Sequence, residues 1–272
     1  VIEYARNALE LEGAHTLEHS PHTPHPVISL MDDQEDVAQA VARYDLLAIP
    51  VVDNERVMLG IITHDDVIDV MREEATEDAH RIAAVEPLDD DYLKTPLLTL
   101  SRKRGMWLMI LFFAALLTAI ALDQYESTLK RVTWLVLFIP LVISSGGNSG
   151  SQSATLIITA LAMGHITLND WSRVVVRELL MGLVLGSFLA VTGYACALFL
   201  ADNAYQALVI HITLLLVVVC GTLCGSLLPL LFQRLGLDPA LMSNPFVAGI
   251  IDIAGILIYM TVALAMIPLG TT

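Results

Sequence analysis

Residues 105–272 restrict this chain more than any other part of it, because they hold only 7 Asp/Glu and 5 Lys/Arg. A helix needs about 20 mostly apolar residues to cross a bilayer. Five stretches have that character: 105–122, 132–161, 174–200, 207–232 and 245–269. The second is interrupted by Pro140 and by the run Ser144-Ser145-Gly146-Gly147-Asn148-Ser149-Gly150. Proline removes a helical N–H, so the helix is expected to unwind after Pro140. Irregular backbone at membrane depth is tolerated only where protein or a water-filled cavity surrounds it. Orientation follows from the basic residues beside the spans. Arg102, Lys103, Arg104, Arg173, Arg177 and Arg234 lie on one side, Lys130 and Arg131 on the other. The acidic N-terminal portion is therefore expected in the cytoplasm and the C-terminus outside, in a multi-pass protein of the plasma (inner) membrane.

Residues 1–104 are a different kind of polypeptide, with 22 Asp/Glu and 9 Lys/Arg. That balance argues against nucleic acid as a partner, since a phosphate backbone is met by basic patches, and it favours cations. Cys196, Cys220 and Cys224 all sit in apolar runs, so neither a disulfide framework nor a thiolate zinc site is supported. The N-terminus, Val1-Ile2-Glu3-Tyr4, lacks the basic and apolar pattern of a signal peptide. His15, His19, His22 and His25 stand among Pro and Thr. They read either as a flexible linker or as a transition-metal chelate.

Within the acidic portion the residue pattern alternates. Residues 27–30 read as a short strand, 33–44 as a helix with Val37, Ala40 and Val41 on one face, 48–53 and 57–63 as strands about an Asn54-Glu55 turn. A helix follows from Asp65, capped near Thr63 or His64. The order Leu-Ala-Ile-Pro-Val-Val-Asp (47–53) and Leu-Gly-Ile-Ile-Thr-His-Asp-Asp-Val (59–67) resembles a CBS motif. That resemblance places Thr63 and Asp66 where CBS domains contact a ribose and implies that a nucleotide such as ATP could bind. The helix then carries Asp65, Asp66, Asp69, Glu73, Glu74, Glu77 and Asp78. Positions 66, 69, 73 and 77 share one face, and like charges at that spacing repel. The face is either simply solvated or neutralised by a divalent cation.

In the apolar portion one carboxylate, Asp252, lies deep in a span, and an ionisable group there is costly and by default functional. Gly249, Gly255 and Ala248 leave space beside it, as a hydrated ion needs; Mg²⁺ keeps several waters and is held by one or two carboxylates. The alternative is a buried, protonated Asp bonded to another helix. Carbonyls around Ser144–Gly147, with the amide oxygens of Asn148 and Gln152, offer hard ligands of the same kind, or the glycines there serve helix packing. Glu178 either lines a cytoplasmic mouth or pairs with Arg177 or lipid headgroups. Gly182-x-x-x-Gly186 and Gly221-x-x-x-Gly225 read as close helix-packing surfaces.

Taken together, Pro140-x5-Gly146-Gly147-Asn148-Ser149-Gly150-Ser151-Gln152-Ser153-Ala154-Thr155, Leu237-Asp238-Pro239-Ala240, Ser243-Asn244-Pro245, Asp252-x-x-Gly255-x-x-x-Tyr259 and the acidic run Glu74–Asp78 resemble the MgtE-type magnesium channels and transporters. The resemblance implies a homodimer in a lipid bilayer, with the second and fifth spans lining a pore on the two-fold axis. It implies that Asp252 holds a hydrated Mg²⁺, with the Ala248 carbonyl nearby and Asn148 and Asn244 along the pathway. It also implies that Asp66, Asp69, Glu74 and Asp78 take part in cytosolic Mg²⁺ sites favouring the closed state. Mn²⁺ and Co²⁺ are alternative permeant ions.

The expectation is a mainly α protein, not an enzyme: a five-helix polytopic membrane domain preceded by a small cytosolic α/β CBS domain and an acidic connecting helix. The division runs 1–26 unassigned, 27–84 CBS domain with acidic helix, 85–104 connecting helix and 105–272 pore domain. A proton- or Na⁺-coupled divalent cation transporter or exchanger is the alternative. More distantly, Gly147-Asn148-Ser149-Gly150 fits the Gly-x-Ser-Gly of rhomboid-like intramembrane serine proteases, with His211 as the candidate base.

Overall fold

The computed structural model describes residues 27–29, 31–88 and 90–267; His15, His19, His22 and His25 lie outside them. The chain divides into two compact units, Val1–Asp78 and Ala79–Thr272.

The first unit follows the expected alternation. Strand β1 is Ile28–Ser29, helix α1 Gln34–Arg43, strands β2 and β3 Ala48–Val52 and Met58–Thr63, and helix α2 begins at His64 and ends at Ile82. β2 is central, parallel to β1 and antiparallel to β3. A proline in a central strand is unusual because it cannot donate to the ladder. Here β1 pairs only with Val51 and Val52, beyond the reach of Pro50. Asp33 caps α1 by accepting from the Glu35 N–H at 3.0 Å. The core gathers alternate strand residues, Ile49, Val51 and Ile62, against Val37, Val41 and Val67 of the helices. Each such fully buried aliphatic side chain is worth about 1.5–3 kcal/mol.

α2 stops where Ala84 takes up φ +57°, with the Val85 N–H donating to the His80 carbonyl at 2.9 Å. That is the left-handed helix terminator usually occupied by glycine. Residues 85–104 were expected to form a connecting helix. Instead, the described residues from 85 to 96 contain no helix. Two prolines, Pro87 and Pro96, bracket the segment, and the next helix, α3, starts only at Leu97 and runs unbroken to Asp123. Lys103 is buried, 6% exposed, and its ammonium donates to the Pro87 carbonyl, which holds this segment against the start of α3.

The short helix α4 (Glu126–Arg131) leads to α5 (Trp134–Ala162), α6 (Trp171–Ala197), α7 (Ala204–Arg234) and α8 (Asn244–Met266). α5 and α6 pack on α7, α8 packs on both α5 and α7, and α3 packs chiefly on α8. Among the described residues four helices are long and apolar enough to cross a membrane: α3, α6 with its preceding 3-10 turn, α7 and α8. Five were expected. α5 has the length, 29 residues, but its middle is the serine- and glycine-rich run.

The expected unwinding after Pro140 does not occur: α5 is helical throughout. Packing explains why. A Cβ on Gly221 of α7 would lie 2.6 Å from both the Gly146 carbonyl oxygen and Ser149 Oγ. A Cβ on Gly150 would lie 3.0 Å from the Gly221 carbonyl oxygen. The small residues are consumed in bringing α5 and α7 into backbone contact, as small-x3-small surfaces do. At the other end of α5, the buried Tyr259 hydroxyl of α8 donates to the Leu135 carbonyl at 2.9 Å.

Candidate functional site

α5 and α8 run antiparallel along a line of short and polar residues. On α8, Asn244, Ala248 and Asp252 are spaced by four and share a face, as do Gly147, Ser151 and Thr155 on α5. The two stripes meet in opposite order. A Cβ on Gly147 would lie 3.4 Å from the Ala248 Cβ and 3.5 Å from Asp252 Oδ1. Two turns along α5, the Asn244 amide Nδ2 lies 3.0 Å from Thr155 Oγ1, and the Ser151 hydroxyl donates to the Asn244 carbonyl oxygen at 3.2 Å. Asp252 is therefore set where the facing helix has no side chain. It forms no hydrogen bond or ion pair among the described residues, which removes the reading of an Asp bonded to another helix. On the same flank of α5, Ser144, Asn148 and Gln152 form an exposed polar stripe, with Asn148 Nδ2 donating to Ser144 Oγ at 3.2 Å.

Glu178 is not part of this line. It is buried, 8% exposed, and accepts from the Ser153 hydroxyl at 2.6 Å, while Thr222 of α7 donates to its backbone carbonyl at 3.1 Å. Ser153 lies two residues beyond Ser151, about 200° around the helix, so this junction of α5, α6 and α7 is on the opposite side of α5 from Asn244. Neither a mouth-lining position nor an Arg177 pair describes it. The residues of the protease reading are also apart: the buried Ser149 hydroxyl donates to the Gly146 carbonyl at 3.0 Å, and the His211 ring stacks edge-on with Tyr194.

In the first unit α2 turns part of its acidic face toward α1. Gln34 donates to the Glu74 carboxylate. The Glu35 carboxyl is pushed above the ordinary glutamate value, first by burial and then by the charges of Asp78, Glu74 and Asp33. Glu35 joins Glu74 and Asp78, although it stands 39 positions before Glu74 in the chain and carries no local signal. Asp69 is exposed. Asp66 accepts from the Thr63 N–H at 3.3 Å and hydroxyl at 2.7 Å, a capping arrangement that binds the two nucleotide-contact candidates to each other. Among the described residues no three His, Cys, Asp or Glu side chains converge as a ready-made metal site.

Within the second unit, Arg81, on the last turn of α2, forms an ion pair with Asp238. Asp238 in turn caps the 3-10 turn Pro239–Leu241 by accepting from the Ala240 N–H at 2.7 Å. Ile82 packs on the cluster of Ala154, Ile158, Ala240, Met242, Val247 and Ile251. The end of the acidic helix thus touches the loop leading into α8, a contact across 157 positions that no local pattern announces.

Residues 139–262, which contain both stripes, match the MgtE divalent cation transporter family, and residues 21–73 match the CBS domain. Magnesium transporters MgtE are 44% identical in Thermus thermophilus, 38% in Enterococcus faecalis and 34% in Bacillus subtilis, over 85–87% of this chain. This chain carries an MgtE-family domain and a CBS domain. It spans about half the length of these curated relatives, 51–52%. A shorter similarity, 39 residues at 62% identity, is to CTP synthase of Sulfurisphaera tokodaii and covers 14% of this chain and 7% of that enzyme.

Proposed function

We propose that this chain forms the membrane pathway of a divalent cation transporter, with Mg²⁺ as the cation moving down its electrochemical gradient. The observation that carries the reading is the α5–α8 line: an unbonded carboxylate, Asp252, opposite Gly147 and one turn from Ala248. α5 crosses as the fifth span, its exposed polar stripe of Ser144, Asn148 and Gln152 facing the wet side rather than lipid. A single Asp252 cannot balance a divalent ion. A homodimer that brings two such residues to one axis supplies −2 to a +2 ion, and the ion keeps its remaining waters as Mg²⁺ prefers.

The acidic face of α2, with Glu35 added, is the regulatory element. At low Mg²⁺ the carboxylates of Glu35, Glu74 and Asp78 repel one another; bound Mg²⁺ removes that repulsion, and α2 passes the change to the α7–α8 loop through Arg81 and Asp238. The closed state follows when cytosolic Mg²⁺ is plentiful. Nucleotide at Thr63 and Asp66 would require the capping bonds between them to give way, which equilibrium dialysis of the chain with ATP tests directly.

The experiment is Mg²⁺ flux into proteoliposomes under an imposed potential, at low internal Mg²⁺. Asp252→Ala is expected to abolish flux while retaining the wild-type melting profile. Equal flux in the two proteins removes Asp252 from the pathway. Glu178 favours one second reading, a proton-coupled transporter, because it is a buried carboxylate inside the helix bundle. Flux that follows an imposed pH gradient, and loses that dependence in Glu178→Gln, selects the coupled mechanism; flux set by potential alone selects the channel.

A further inference from the structure

We propose that Thr155 is a positioning residue that decides which end of the Asn244 amide faces the cation. The inference rests on the transport reading above and assigns a role within the same line of residues.

Thr155 Oγ1 has three polar neighbours: the Ser151 carbonyl oxygen at 2.9 Å, Asn244 Nδ2 at 3.0 Å and Asn244 Oδ1 at 3.2 Å. A threonine hydroxyl has one proton and can accept as well. If the proton goes to Asn244 Oδ1, the hydroxyl still accepts from Nδ2, but the proton is spent on the longest of the three contacts and the shorter one to the Ser151 carbonyl is left without a donor. If it goes to the Ser151 carbonyl, the hydroxyl is left as an acceptor for the Asn244 N–H, and both shorter contacts become hydrogen bonds. The second arrangement uses the geometry better, and its consequence is specific. The amide nitrogen is occupied by Thr155, while Oδ1 receives no proton and keeps its lone pairs for another positive partner.

The backbone is held as well, since the Ser151 hydroxyl donates to the Asn244 carbonyl at 3.2 Å. Ser151 and Thr155, one turn apart on α5, thus hold the first turn of α8 by its main chain and its side chain. Pro245 stands in the first turn of that helix, and the Ser243 carbonyl accepts from the Val247 N–H at 3.0 Å. Asn244 itself shares an α8 face with Ala248 and Asp252, one and two turns on. Rotating the amide would replace an oxygen ligand by an N–H donor, which repels a cation. An orientation lock is therefore worth having at an asparagine and worth nothing at an aspartate, whose two oxygens are equivalent.

The test uses the full chain in proteoliposomes, comparing Thr155→Val, Thr155→Ser, Asn244→Asp and the double variant Asn244→Asp with Thr155→Val. Mg²⁺ flux is read beside the side-chain amide signal of ¹⁵N-labelled Asn244. Thr155→Val preserves shape, and is expected to lower flux about fivefold, the order set by one orienting hydrogen bond, with faster exchange of the amide protons with water. Thr155→Ser is expected to restore both readouts. In the Asn244→Asp background, Thr155→Val is expected to change flux less than twofold. Wild-type flux in Thr155→Val, or an undiminished loss in the Asn244→Asp background, overturns the proposal. A wild-type chain that carries no Mg²⁺ overturns it through the transport reading, and the amide signal, which needs no conduction, separates that failure from a failure of Thr155.

Discussion

Two glycines on neighbouring surfaces of the α5 packing serve different ends, and alanine at each separates fold from pathway. At Gly221 a new Cβ would lie 2.6 Å from the Gly146 carbonyl oxygen and from Ser149 Oγ. Ordinary contact begins near 3.4 Å, so α5 and α7 must part by about 0.8 Å, against rigid helical backbone. Overpacking of this kind costs about 1–3 kcal/mol, offset in part by the helix preference of Ala over Gly, about 1 kcal/mol. At Gly147 the new Cβ would meet the Ala248 Cβ at 3.4 Å and Asp252 Oδ1 at 3.5 Å, which is contact without collision. Gly147→Ala should therefore melt at or above the wild-type temperature, yet conduct several-fold less, because its methyl fills the space beside the carboxylate. Gly221→Ala should lose thermal stability, with flux per folded molecule changed less than that of Gly147→Ala. Melting in detergent by tryptophan fluorescence and Mg²⁺ flux in liposomes measure the two effects. A destabilised Gly147→Ala with unaltered flux per folded molecule would refute the assignment of that space to the ion.

Other substitutions test the frame around the line. Tyr259→Phe removes the 2.9 Å bond to the Leu135 carbonyl in a fully buried setting and should cost about 1 kcal/mol, seen as a lower melting temperature. Ala84→Gly relieves the φ of +57° at the end of α2 and should stabilise by up to about 1 kcal/mol, measured the same way. The Glu35 carboxyl is raised in the folded chain, so its contribution to stability is fully present below the unfolded glutamate value and is lost as pH rises through the folded one. In low Mg²⁺ the wild type should therefore gain stability on acidification through this range, Glu35→Gln should flatten the dependence, and millimolar Mg²⁺ at neutral pH should do the same for the wild type.

Much of the fold was legible because its signals are local. Alternation at 48–52 and 58–63 and a capping residue at Asp33 mark the strands and α1, and a lone carboxylate in an apolar helix marks Asp252. The misreadings have physical causes. Pro140 and the Gly146–Gly150 run look like a helix break, but Gly146 and Gly150, having no side chains, admit Val217 and Gly221 of α7 and Ile251 of α8 to the surface of a continuous α5. The end of α2 is hidden because alanine, not glycine, adopts the left-handed turn at 84. The prolines at 87 and 96 are signals that one helix does not run unbroken through 85–104, since neither fits a helix interior. Glu35 with Glu74, Ser153 with Glu178, and Arg81 with Asp238 are pairs made by tertiary packing, and nothing in one linear pattern links their members.

Water accessibility along α8 tests the central claim, that the α5–α8 line is a cation pathway, most directly. With Cys196, Cys220 and Cys224 replaced by alanine, a cysteine at Ala248 is compared with one at Leu257, an exposed apolar position farther along the same helix. Reaction with a positively charged thiol reagent should be fast at 248 and slow at 257, and millimolar Mg²⁺ should slow it at 248. A cysteine at 248 that stays unreactive in protein still conducting Mg²⁺ would place the ion elsewhere and contradict the account.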